Sequence, residues 1–136
     1  MGAACKKSKT TTPDPVYPAG LRAKINGVIW TPQYINKVTS SGGGMYSFEF
    51  DGTDSATHQA LYIQVSSFTG RGVHTITATN DMAFYAIDTG GAVVQIAATS
   101  GQIDITALND TAVGGTFNFV SADGTTVTDG TFNVNF

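Results

Sequence analysis

Cysteine is almost absent from this sequence. Cys5 is the single one in 136 residues, so no disulfide can staple the chain to itself and a domain must hold through packing. Histidine is nearly as scarce: His58 and His74 are too few for an all-histidine zinc site, and no cysteine pair completes one. Charged residues make up 12% of the chain, about half the share of an ordinary soluble domain, and glutamate occurs once, as Glu49. From Gly20 onward four bases (Arg22, Lys24, Lys37 and Arg71) stand against nine acids, a balance of −5, which offers no basic footprint for nucleic acid. No run of 18 apolar residues exists to span a bilayer as a helix. No window of eleven or more residues shows apolar positions at i, i+3, i+4 and i+7, so any helix is a single turn.

What is present begins with the position of the one cysteine. Cys5 follows Gly2, Ala3 and Ala4 and precedes Lys6, Lys7, Ser8, Lys9 and a run of threonines. Bacterial lipoproteins are cleaved before a cysteine that follows small residues, and a lipid on its sulfur then tethers a polar linker and a domain to a membrane. Cys5 is therefore expected to be a lipidation site. The four residues before it cannot hold the apolar core of a cleavable signal. Myristoylation at Gly2 is disfavoured, because that signal wants Ser or Thr where Lys6 stands. The stretch from Thr10 to Pro18, with Pro13, Pro15 and Pro18, cannot build a core and reads as a semi-extended spacer. The expected organisation is an anchor and disordered linker over residues 1–19 and a single domain over 20–136.

Past the linker the apolar period becomes two. Leu21, Ala23 and Ile25 alternate with polar neighbours, Asn26-Gly27 gives a strong hairpin signal, and Val28-Ile29-Trp30 returns, so that Ile25 should face Val28 and Ala23 should face Trp30. The same alternation places Phe48 with Phe50, Leu61 with Ile63 and Val65, Ile103 with Ile105, and Phe117 and Phe119 with Phe132 and Val134 across an Asp123-Gly124 turn. Thr116, Asn118, Thr131, Asn133 and Asn135 take the opposite face. This is half-buried antiparallel sheet, apolar within and polar without. With breakers at Ser40–Gly44, Asp51–Ser55, Thr99–Gly101 and similar points, the pattern predicts an all-β domain of about nine or ten short strands. An antiparallel β-sandwich is the expected architecture, with a closed β-barrel as the alternative.

Several motifs together resemble a family. Ala23-Lys24-Ile25-Asn26-Gly27 with Trp30, Phe68-Thr69-Gly70, Ser100-Gly101-Gln102-Ile103-Asp104-Ile105-Thr106, Gly114-Gly115-Thr116-Phe117 and Thr128-Asp129-Gly130-Thr131-Phe132 follow in an order similar to that of small all-β lipoproteins of Bacteroidota. That family has no established activity. The resemblance implies an all-β lipoprotein of the bacterial outer membrane and transfers no catalytic residue. Surface-bound lipoproteins of that phylum usually carry acids just after the lipidated cysteine; Lys6 and Lys7 stand there in this chain, which favours the periplasmic face.

The chemistry-bearing residues are few. A glycosidase needs two carboxylates facing one sugar; Glu49 lies on the solvent face of its strand, while Asp51 and Asp54 read as parts of one Asp-Gly-Thr-Asp turn, where aspartate bonds its own backbone. That pair lacks the ligand alternation of a calcium loop. His74 reads as a strand-start histidine held by a hydrogen bond. Tyr62 is expected outside, beside Gln64 and Ser66, because Leu61 and Ile63 claim the inner face. Tyr62, His74, Asp51 and Asp54 are the expected ligand-binding residues, and neither catalytic residue, metal nor cofactor is expected. The expected function is an envelope-anchored binding or scaffold protein for a glycan, an envelope protein or a small apolar ligand. The alternative is a small carbohydrate-active or hydrolytic enzyme.

Overall fold

The computed structural model describes residues 14–76 and 81–136. Cys5 lies outside the described residues. Ten strands run through them: β1 (Gly20–Ile25), β2 (Val28–Trp30), β3 (Tyr34–Gly42), β4 (Met45–Asp54), β5 (Gln59–Phe68), β6 (Gly72–Thr75), β7 (Met82–Asp88), β8 (Val93–Leu108), β9 (Ala112–Ser121) and β10 (Thr126–Asn135). They form one antiparallel sheet in the order β2-β1-β10-β9-β8-β7-β5-β4-β3, with β6 added beside β8. The expected all-β class holds, and the sheet is not closed into a barrel: β2 and β3 are its ends. Among the described residues no helix is long and apolar enough to cross a membrane.

The sheet folds over itself so that its two halves share one core. Alternation is the cause: Phe48, Phe50, Leu61, Ile63 and Val65 from β4 and β5 point inward, and so do Leu21, Ile25, Phe117, Phe119, Phe132 and Val134 from β1, β9 and β10. The halves meet where the ring of Phe48 lies 5.1 Å from that of Phe132 and the ring of Tyr46 lies 5.1 Å from that of Phe136. Full burial of a side chain such as Phe48 or Phe132 is worth about 1.5–3 kcal/mol, and the partly buried Tyr46 and Phe136 extend the layer, so it can hold the halves together without a disulfide.

Both tight hairpins use residues that tolerate positive φ. Asn26 and Gly27 (φ 49° and 80°) join β1 to β2 with the expected pairs Ile25 to Val28 and Ala23 to Trp30. Gly43 and Gly44 (φ 61° and 79°) join β3 to β4. Type I′ turns require this backbone, and their twist matches that of the strands.

Three sequence expectations are corrected. Thr99–Gly101 does not end a strand: β8 runs straight through it, with Gly101 at φ 134°. There β8 changes partners, pairing with β7 over Val93–Ala97 and with β9 and β6 further on, so the glycine marks a passage from one half of the sheet to the other. Asp51 and Asp54 do not share a turn, because β4 extends to Asp54 and the turn begins after it. Residues 14–19, read as spacer, are fastened to the sheet. Asp14 receives Arg71 Nε at 2.9 Å and Nη2 at 2.5 Å, Tyr17 Oη meets Thr106 Oγ1 at 2.6 Å, and Asn133 Nδ2 donates to the Tyr17 carbonyl at 2.9 Å. The polar Thr and Asn face that the sequence assigned to solvent thus carries a strap.

Candidate functional site

The outer face of the β4-β5-β7-β8 half brings together two of the four expected site residues, Asp51 and Tyr62. Strand period two sets Glu49 and Asp51 on β4, Tyr62, Gln64 and Ser66 on β5, and Phe84 and Ala86 on β7 on the same side. Register then brings them together: Tyr62 stands directly across from Asp51 on one flank and from Phe84 on the other, and the Tyr62 and Phe84 rings lie 5.5 Å apart. One step along, Ala60 pairs with Ala86 and Ala86 with Gln95. Two alanines beside two aromatic rings leave a shallow depression of about 210 Å³, bounded by Asp51, Thr53, Tyr62, Phe84, Val93 and Gln95. That is below the ~300 Å³ lower end of enclosed small-molecule pockets, so it suits a ring resting on a surface rather than a ligand swallowed whole.

The Tyr62 hydroxyl donates to Gln64 Oε1 at 2.6 Å. Burial, then the Glu49 carboxylate on the neighbouring strand, then Asp51 push its pKa up to about 12, since each disfavours the tyrosinate. Tyr62 is therefore a neutral donor throughout the physiological range. From it a polar chain runs along β5. Gln64 Nε2 donates to Ser66 Oγ at 3.1 Å, Ser66 N to Asp81 Oδ1 at 3.3 Å, and Asp81 Oδ2 meets His74 Nδ1 at 3.1 Å. His74 is half-buried, with its ring edge-on to Phe68 at 6.0 Å. The chain links Tyr62 to His74 but leaves His74 at its far end, outside the depression.

Asp54 is not part of the site. Its carboxylate accepts from Ala56 N at 3.1 Å and Thr57 Oγ1 at 2.9 Å and so closes the β4–β5 turn. His58 ends that turn at φ 59°, with its carbonyl accepting from Asp88 N at 2.9 Å. Among the described residues no group of three or more His, Cys, Asp or Glu converges as metal ligands. Sequence reasoning missed Phe84 and Gln95. In Met82-Ala83-Phe84-Tyr85-Ala86 two adjacent aromatic residues hide which face is buried; the structure buries Tyr85 and sets Phe84 outside.

A second depression, of about 300 Å³, opens where the sheet fails to close, between Ile35 and Lys37 of β3 and Asn133 and Asn135 of β10. Lys37 Nζ bridges it by donating to the Asn135 carbonyl at 3.1 Å. It offers one cation already engaged by the protein's own backbone, whereas the Tyr62 face offers two rings, two carboxylates and two amides.

No known protein family, curated protein or solved structure matches this chain.

Proposed function

We propose that this protein is a binding module that holds a glycan on the outer face around Tyr62. The observation that carries the reading is the cross-strand row Asp51, Tyr62, Phe84 bordering an alanine-floored depression. A pyranose has one apolar face of C–H groups and a rim of hydroxyls. The aromatic pair suits the first, and the carboxylates of Glu49 and Asp51 with the Gln64 and Gln95 amides suit the second. Binding is favoured over hydrolysis because Glu49 and Asp51 stand two apart on one strand, side by side on one face. A glycosidase sets its carboxylates on opposite sides of the bond to be cleaved. In the same reading Cys5 carries a lipid and the domain serves the outer membrane of a Bacteroidota-type envelope.

The test is titration of the full chain with a panel of neutral oligosaccharides, followed by calorimetry and by amide chemical shifts. Binding that perturbs residues 49–53, 60–64 and 84–86, is lost in Tyr62→Ala and survives in Asp54→Asn supports the reading. Shifts confined to the β3–β10 opening, or no binding at all, would overturn it, and release of reducing sugar would move the assignment to an enzyme.

A further inference from the structure

The two ends of the sheet are treated differently. At one end β2 is three residues long and is followed at once by Thr31 and Pro32, which keeps that edge short. At the other end β3 runs for nine residues, pairs with β4 without a bulge and contains no proline. Such an edge presents unpaired N–H and C=O groups, and most folded proteins blunt it. The I′ turn at Gly43-Gly44 makes Gly42 and Met45 a hydrogen-bonded pair, so alternation directs Tyr34, Asn36, Val38, Ser40 and Gly42 toward β4. The backbone groups of Ile35, Lys37, Thr39 and Ser41 then point away, and among the described residues nothing pairs with them. Exposed apolar side chains lie along the same edge, with Tyr34 67% and Val38 66% exposed.

We propose that β3 is a self-pairing edge, which joins two copies of this chain antiparallel about a two-fold axis at Val38. One register uses every residue of the strand. It sets Tyr34 against the partner copy's Gly42, Ile35 against Ser41, Asn36 against Ser40, Lys37 against Thr39, and Val38 against its own copy. The outward backbone groups become the hydrogen-bonded pairs, giving about eight new N–H···O bonds. Val38 falls at a close, non-hydrogen-bonded pair, where two exposed valines cover each other. Tyr34 meets a glycine, which leaves room for its ring. The strand's one charge is Lys37, and it faces Thr39 rather than a second lysine; sliding the register by two to centre on Lys37 would oppose the two ammonium groups. Lys37 is the single guard this edge has, and it is drawn back onto the Asn135 carbonyl on the inner side. A second copy is favoured over an unrelated strand because this sequence satisfies its own edge over its whole length. The inference does not depend on the glycan reading.

The experiment is sedimentation equilibrium of the full chain carrying Cys5→Ser, over micromolar to millimolar concentration, with four further variants. Val38→Cys is expected to form a disulfide-linked dimer on mild oxidation, since the two Cα atoms stand about 4.5 Å apart in such a pair. Asn36→Cys, offset from its own copy by four residues, is expected not to. Val38→Lys opposes two charges at the axis, and Thr39→Pro removes an outward N–H without touching the bonds to β4; each should shift the dimer to monomer at unchanged circular dichroism. A monomer at every concentration, equal crosslinking of the two cysteine variants, or a dimer that survives both Val38→Lys and Thr39→Pro would overturn the proposal.

Discussion

The indole Nε1 of Trp30 donates to the carbonyl of Gln59 at 3.1 Å, and so fastens β2, at one end of the sheet, to β5, near the other. The same ring is packed beside Gly52, where an added Cβ would stand 3.0 Å from Trp30 Cη2 and 2.7 Å from Pro32 Cβ. Trp30 does what closure of a barrel would otherwise do, because it ties the two halves side chain to backbone where no strand pairing joins them.

Trp30→Ala should therefore destabilise the domain by about 3–5 kcal/mol, the usual range for deleting a large buried aromatic side chain. Trp30→Phe keeps most of the packing and leaves the Gln59 carbonyl without its indole partner, at a cost of about 1–3 kcal/mol. Urea unfolding followed by circular dichroism checks both. Trp30 is the only tryptophan and is 2% exposed, so the native protein's emission should be blue-shifted and should resist acrylamide until unfolding.

Tyr62 gives a signature in alkali. Its folded pKa of about 12 lies above the ordinary 10.0, so its contribution to stability is whole below pH 10 and is lost as pH rises toward 12, where the unfolded chain ionises first. Ultraviolet titration of the wild type minus Tyr62→Phe should show a single tyrosinate step near pH 12. A difference step near pH 10 would mean that the hydroxyl is neither buried nor faced by Glu49 and Asp51.

Acid should act through two aspartates, the exposed Asp123 and the partly exposed Asp14. Asp123 accepts from Ser121 Oγ at 2.6 Å and Thr125 N at 2.9 Å, and Asp14 is held by Arg71; these bonds lower both carboxyl groups below the ordinary 3.8. Their stabilisation is present above that value and disappears as pH falls through the lowered folded one. The double variant Asp14→Asn with Asp123→Asn should show a flatter dependence of melting temperature on pH below about 4 than the wild type.

Gly115 is expected to tolerate no side chain. A Cβ there would overlap the Asp104 carbonyl oxygen of β8 and come within 3.0 Å of Phe132 Cζ. Gly115→Ala should cost at least the ~1–3 kcal/mol of overpacking, because the obstacle is the backbone of a paired strand. Gly114→Ala meets the Phe132 carbonyl oxygen and Tyr17 Cδ2 at 3.2 Å each. It should cost less and should act by lifting the strap, read as increased proteolysis within residues 14–19.

The parts of the fold legible in the sequence are those where one face is buried and the other wet. Leu21, Ala23 and Ile25, or Phe117 and Phe119 against Phe132 and Val134, declare a strand by alternation, and Asn26-Gly27 declares its register. β3 is invisible by the same logic: eight of its nine residues are exposed, so Tyr-Ile-Asn-Lys-Val-Thr-Ser-Ser-Gly carries no period. The continuity of β8 through Gly101 is equally hidden, since a glycine that lets a strand change partners looks like one that ends it. For the site, Tyr62 with Gln64 and Ser66 is a period-two statement and survives. The meeting of Asp51, Tyr62 and Phe84 depends on β7 lying beside β5, and strand order is a property of the whole sheet. Asp14 and Tyr17 could not be read as docked because their partners, Arg71 and Thr106, stand 57 and 89 residues away.

The pairing of β1 with β10, Leu21 beside Phe132 and Ile25 beside Val127, has a bearing on how the chain is made. A ribosome releases β1 and β2 first, and their hairpin can form at once through its local turn. The other edge of β1 has no strand to pair with until β10 emerges, more than a hundred residues later. Folding of that half is therefore postponed until β10 has been made, and pairing between strands so far apart in sequence makes it slow. A nascent chain stopped before Thr126 would present the open edge of β1 to every neighbouring polypeptide.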